Sequence, residues 1–150
     1  MTVTLLLAAA YNVLWGAWVV LFPLHIFELA RIDTGDGPHF WPQLWQCIGM
    51  IVGVYGVGYA IAAIDPIRHW PIVLVGLLGK ILGPIGFAGA LLDGTFPLRF
   101  GVTIITNDLI WWIPFGLILV AAWRHHRHTA TRIDSGAPTD GGQNGANAWR

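Results

Sequence analysis

The sequence predicts an all-α fold: a four-helix transmembrane bundle with a short interfacial segment between the first and second helices and a disordered C-terminal tail. Three observations carry that prediction. Of 150 residues, 55% are hydrophobic and only 11% charged, whereas a soluble domain carries about 25% charged residues. The apolar residues fall in four runs, 3–22, 41–64, 71–92 and 100–123. Each run reaches the about 20 residues that a helix rising about 1.5 Å per residue needs to cross about 30 Å of hydrocarbon. None shows the period of two that a barrel strand requires.

The first run lacks a basic leader and continues past Ala8, Ala9 and Ala10, so it reads as a retained span rather than a cleaved signal. Residues 23–40 follow, with Glu28, Asp33 and Asp36 against Arg31. Their first half, 24–32, suits a short interfacial helix, and Thr34-Gly35-Asp36-Gly37-Pro38 a turn. Trp41-Pro42 opens the second span and Trp70-Pro71 the third. Proline fits the first helical turn, where its missing N–H costs nothing, and tryptophan fits the half-wet membrane interface. Trp18, Phe22 and Trp123 suit the same position. Asp65-Pro66 and the stretch from Asp93-Gly94 to Pro97 join the later spans. The membrane domain therefore occupies 1–123 and the tail 124–150. The tail opens Arg124-His125-His126-Arg127-His128 and then becomes too polar to bury a core. Arg68, Arg124, Arg127 and Arg132 lie on one side, while Arg31 and Arg99 on the other are diluted by acids. The positive-inside rule then predicts a multi-pass protein of the inner (plasma) membrane with both termini cytoplasmic.

Small residues mark the packing faces. The second span carries Gly49, Gly53, Gly56 and Ala60 on one stripe, and the third carries Gly76, Gly79, Gly83, Gly86 and Gly89. Gly49/Gly53 and Gly79/Gly83 are GxxxG pairs, which let helix backbones approach closely in lipid. They predict tight packing of spans two and three within one chain; a seam for a homo-oligomer or a larger membrane complex is the other reading.

Two charges stand inside apolar runs: Lys80 in the third and Asp108 in the fourth. A charge at membrane depth costs several kcal/mol unless compensated, and such residues mark ion pathways, binding sites or structural pairs. Counted from the span ends, Asn12 and Lys80 both lie about ten residues deep, near the midplane. Gln46, Asn107 and Asp108 lie about one to two turns below the opposite surface. Asn12 is thus one partner for Lys80, and Asp108 another across an offset of roughly 7 Å. Pro84 frees the carbonyl of Lys80 and Pro114 that of Ile110, and such freed carbonyls line cavities in transporters. Asn12, Gln46, Lys80, Asn107 and Asp108 are the candidate ligand or proton site. Trp15, Trp111 and Trp112 lie too deep for an interfacial belt; they fill the core or wall a cavity for an apolar ligand.

Zero net formal charge excludes a basic field for nucleic acid. One cysteine, Cys47, offers no resolving partner for a thiol cycle. His25 and Glu28 with His39 could form an outer metal site, and the tail histidines 125, 126 and 128 could bind a metal weakly, but neither spacing is a specific metal signature, and no cofactor is expected.

Four segments carry a resemblance: Tyr11-Asn12-Val13-Leu14-Trp15-Gly16, Leu44-Trp45-Gln46-Cys47-Ile48-Gly49, Gly79-Lys80-Ile81-Leu82-Gly83-Pro84 and Asn107-Asp108-Leu109-Ile110-Trp111-Trp112. Over about residues 5–123 the chain resembles small four-span bacterial integral membrane proteins of uncharacterised function, some bearing an alkyl hydroperoxide reductase label. In size and span count it is more loosely similar to DoxX-like proteins. The resemblance implies the four-span fold and the same polar positions, and no mechanism. A lone membrane-embedded cysteine fits the peroxidase label poorly. The sequence thus points to a non-enzymatic membrane subunit or small binding or transport module around Lys80, with the lipid bilayer as its surroundings. The alternative is a membrane-embedded oxidoreductase acting on a lipid, quinone or peroxide.

Overall fold

The computed structural model describes residues 1–32 and 42–134. Its helices are α1 (Thr2–Leu21), α2 (His25–Leu29), α3 (Pro42–Ala62), α4 (Trp70–Leu92), α5 (Gly101–Asn107) and α6 (Trp112–Asp134). Short 3₁₀ turns, Leu98–Phe100 and Leu109–Trp111, precede α5 and α6. No strand occurs among the described residues. Four helical units are long and apolar enough to cross a membrane: α1, α3, α4, and the composite running from Leu98 to Thr129. The distribution of polarity is inverted relative to a soluble protein. Leu14 is 70% exposed and Ile113 77% exposed, while Asn12, Lys80 and Asp108 are buried. Such an apolar exterior suits lipid and would aggregate in water.

α1 and α3 run antiparallel at backbone contact. A Cβ added at Gly16 would lie 2.8 Å from the Gly53 nitrogen and 3.0 Å from its Cα. One added at Gly56 would meet the Ala9 carbonyl at 2.9 Å, and one at Gly49 the Val19 side chain at 2.8 Å. The glycine stripe of the second span therefore serves the first span, not the third as the sequence suggested. The reason is Gly16, whose missing side chain supplies the second smooth surface. The third-span glycines do different work. Gly76 makes room for the Tyr59 ring, and a Cβ at Gly83 would stand 2.8 Å from an Asp108 carboxylate oxygen. Gly79, Gly86 and Gly89 face open space.

The core links both halves through Leu5, Ala8, Tyr59, Ala62, Val73, Phe115 and Ile118. α2 occupies the predicted interfacial position and covers a second cluster built on Ile26, Phe27 and Phe100, with Trp45 packed against it. Arg99 ties this cap down, donating to the carbonyls of Ala30 and of Arg31, the latter at 2.6 Å. Arg31 takes a left-handed conformation, φ 47°. The predicted turn at 34–38, His39 and Trp41 lie outside the described residues.

Two further differences concern the fourth span. It is broken, not continuous: α5 ends at Asn107 and a 3₁₀ turn intervenes before α6. Pro114 gives the physical reason, since its ring excludes the carbonyl of Ile110 and is best placed in the first turn of a new helix. At the other end α6 runs past Trp123 through Asp134, so the start of the stretch read as tail is helical. Arginine and alanine sustain a helix there, Arg127 lies over the Trp123 ring at 4.7 Å, and the first glycine comes only at 136.

Candidate functional site

The two interruptions, Pro84 in α4 and the break at Asp108, face each other and exchange hydrogen bonds. Without an N–H, Pro84 leaves the Lys80 carbonyl without its helical donor. The Trp112 indole N–H takes its place, 3.0 Å away. In the 3₁₀ turn the Trp111 amide donates to Asp108 instead of Asn107, which frees the Asn107 carbonyl. The Lys80 ammonium donates to that carbonyl. Each helix thus supplies the donor that the other one lacks. Unpaired backbone groups are costly in lipid, so this exchange fixes the register of α4 against α5 and α6.

The Lys80 nitrogen also stands 3.8 Å from an Asp108 carboxylate oxygen, with both side chains nearly fully buried. The Asn107 amide N–H donates to the same oxygen at 3.0 Å. The side-chain oxygen of that amide, Asn107 Oδ1, is buried and has no partner among the described residues. Flipping this amide would set that oxygen against the Asp108 carboxylate, so the orientation is dictated by charge. The room for the carboxylate comes from Gly83.

A cavity of about 150 Å³ reaches this group from between α3 and α4. Asn12, Lys80, Asn107 and Asp108 form its polar end, Tyr55 and Tyr59 its flank, and Ile51 and Gly79 its rim. Because Ile51 and Gly79 are exposed, the cavity opens sideways onto the surface that faces lipid. Among the five predicted polar residues, four line it. Asn12 does so while donating to the Ala8 carbonyl of its own helix at 2.7 Å; the Lys80 ammonium goes to Asn107 and Asp108 instead. Gln46 is separate. It donates to the Val20 carbonyl at 2.8 Å and so closes the C-terminal turn of α1, where helical carbonyls lack partners.

The three predicted tryptophans do not wall this cavity. Trp111 is in the core beside Tyr11 and Phe115, and Trp112 serves Lys80 through its indole. Trp15 packs edge-on to Trp45 and borders a separate groove of about 430 Å³ between α1, α2 and α5. Sequence reasoning missed Tyr55 and Tyr59. Their spacing of four on the helix that carries the glycine stripe was the available signal. Cys47 is exposed and does not line the cavity. Among the described residues, no group of three histidine, cysteine or acidic side chains gathers as a metal site would require. No protein-family model, curated protein or solved structure matches this chain.

Proposed function

We propose that this protein is a small, non-enzymatic binding or transport module of the membrane, whose site is the Lys80–Asp108 cavity. Its ligand is an apolar molecule with a small neutral head that both donates and accepts hydrogen bonds, such as a hydroxyl. The observation that carries this reading is a polar-ended cavity that opens between α3 and α4 onto the bundle's apolar exterior. A bundle filled with side chains at Lys80 would have favoured a purely structural role. The oppositely charged pair, only 3.8 Å apart, disfavours a charged head of either sign, because each sign meets one repelling partner. The unpartnered Asn107 oxygen asks for a donor. At about 150 Å³ the cavity takes a head and the start of a chain, less than the about 300 Å³ or more of a drug-sized site. The tail then stays in lipid.

This reading includes the bacterial four-span resemblance and the orientation drawn from arginine placement, with both termini in the cytoplasm. Lys80 and Asp108 would equally be the polar groups of an oxidoreductase. The thiol that such chemistry on a peroxide would call for is not part of the site, since Cys47 does not line the cavity.

The test is thermal unfolding of the purified protein in detergent with decanol, decanoate or decane added at equal concentration. Ligand that binds only the folded state raises its stability by mass action, by about 2.7 kcal/mol at a hundred times Kd. Decanol is expected to raise the midpoint clearly more than the other two. Gly79→Leu, which fills the rim where a Cβ meets nothing within 4 Å, should remove that difference. Equal shifts from all three additives, or a decanol shift that survives Gly79→Leu, would refute the assignment.

A further inference from the structure

A second groove lies at the end of the bundle that carries both termini. α4 and α6 pack through Val73, Phe115 and Ile118, all buried in one cluster. Beside that contact they leave a space of about 460 Å³ lined by Trp70 and Leu74 of α4 and Leu119, Trp123 and His126 of α6. The spacings 70/74 and 119/123/126 place one stripe from each helix along the groove. It grades along its length. Leu74 and Leu119 form the inner, aliphatic end, Trp70 and Trp123 the middle, and His126 the outer end. From Leu119 to His126 the groove spans roughly 10 Å at 1.5 Å per residue, and its tryptophans sit where the apolar run ends, the depth that indoles prefer.

From Arg124 to His128, α6 carries only cationic or titratable basic side chains. The helical continuation of α6 exposes Arg124, His125, His126, Arg127 and His128, and Arg127 is anchored over Trp123. Arg68 stands just before α4, and Asp65 is the nearby acid; its carboxylate accepts from the Arg68 backbone amide at 3.0 Å. An aliphatic slot capped by two indoles and opening onto arginines matches one occupant: a phospholipid with a net negative head.

We propose that this groove binds an anionic diacyl phospholipid of the leaflet facing the termini. One acyl chain lies along Leu74 and Leu119, and the phosphate sits beside His126 and Arg127, with Arg124 adding positive field from the neighbouring face of α6. The helical continuation of α6 beyond Trp123 thereby gains a role: it holds the cationic groups in register with the groove.

Native mass spectrometry of the full chain, equilibrated with equimolar phosphatidylglycerol and phosphatidylcholine of identical chains, tests this. Phosphatidylglycerol should be retained at least several-fold over phosphatidylcholine. The paired substitution Arg124→Gln/Arg127→Gln, on exposed positions that leave the core untouched, should bring that ratio near one. Leu119→Trp, which fills the groove and leaves the arginines, should lower retention of both lipids. Equal retention by the unaltered chain would overturn the proposal. So would undiminished retention of phosphatidylglycerol after Leu119→Trp, since the cationic helix would then act without the groove. A dimer that survives lipid removal and is broken by Leu119→Trp would assign the groove to a second copy and also overturn it.

Discussion

The two helix pairs of this bundle are joined by opposite means. α1 and α3 meet through the absence of side chains: Gly16, Gly49, Gly53 and Gly56 bring backbones together, and dispersion between close surfaces holds them. α4 meets α5 and α6 through side chains that repair broken backbone, with Lys80 reaching the Asn107 carbonyl and Trp112 the Lys80 carbonyl. The first mode leaves no space and presents no chemistry. The second needs interrupted helices, and interruption creates both polar groups and a cavity. Close packing thus lies at one seam of the bundle, and buried polar groups with a cavity lie at the other.

Removing half of the ion pair is expected to have the largest effect. Lys80→Met leaves Asp108 without its cation and the Asn107 carbonyl without a donor. Removing one member of a buried pair costs about 3–5 kcal/mol in soluble proteins. The lower end applies here, because a chain unfolded within the membrane also finds partners. Asp108→Leu should cost a comparable amount. The double variant Lys80→Met/Asp108→Leu should be clearly more stable than the sum of the two losses predicts, since apolar replacement of both partners removes the burial penalty. Reversible unfolding in mixed micelles measures all four proteins. Additive losses would show that the pair does not act as a unit.

A smaller effect separates the glycines. At Gly16 a methyl group would meet Gly53 backbone atoms that cannot yield, so Gly16→Ala should destabilise by about 1–3 kcal/mol, the usual range for overpacking. At Gly86 the same methyl meets nothing within 4 Å. Gly86→Ala should then be neutral or stabilising by up to about 1 kcal/mol, through helix propensity alone. The same unfolding measurement decides between the two. Equal costs would mean that the seam of α1 and α3 is not what the glycines serve.

Much of this architecture was legible in the sequence because membrane depth is written in run length and charge. The four long apolar helices, the short helix after the first of them and the position of Lys80 midway along the third all follow from counting. Pairing was less legible. Gly49, Gly53 and Gly56 announced a smooth face without naming the helix it meets, and a single glycine in the first span, Gly16, decided that question. The break at Asp108 was hidden because Leu109, Ile110 and Trp111 are as apolar as any helical turn; only Pro114 signalled it. That break also explains why the offset between Lys80 and Asp108, large along two straight helices, closes to 3.8 Å. Tyr55 and Tyr59 were less legible because tyrosines at helical spacing serve a filled core and the flank of a cavity alike.

The finest distinction concerns the indole of Trp112. If its hydrogen bond exists to satisfy the carbonyl that Pro84 orphans, the two residues must be energetically coupled. Trp112→Phe keeps an aromatic ring and removes the N–H, and it should cost about 0.5–1.5 kcal/mol, the net value of one hydrogen bond. Pro84→Ala restores a backbone donor to the Lys80 carbonyl. In that background the indole is redundant, so Trp112→Phe should cost only a few tenths of a kcal/mol. The double-mutant cycle isolates the coupling, because neither substitution touches the Lys80 amine or the Asp108 carboxylate. A full loss from Trp112→Phe in the Pro84→Ala background would mean that the ring acts by packing alone. The reciprocal repair of two broken helices would then reduce to the lysine's half.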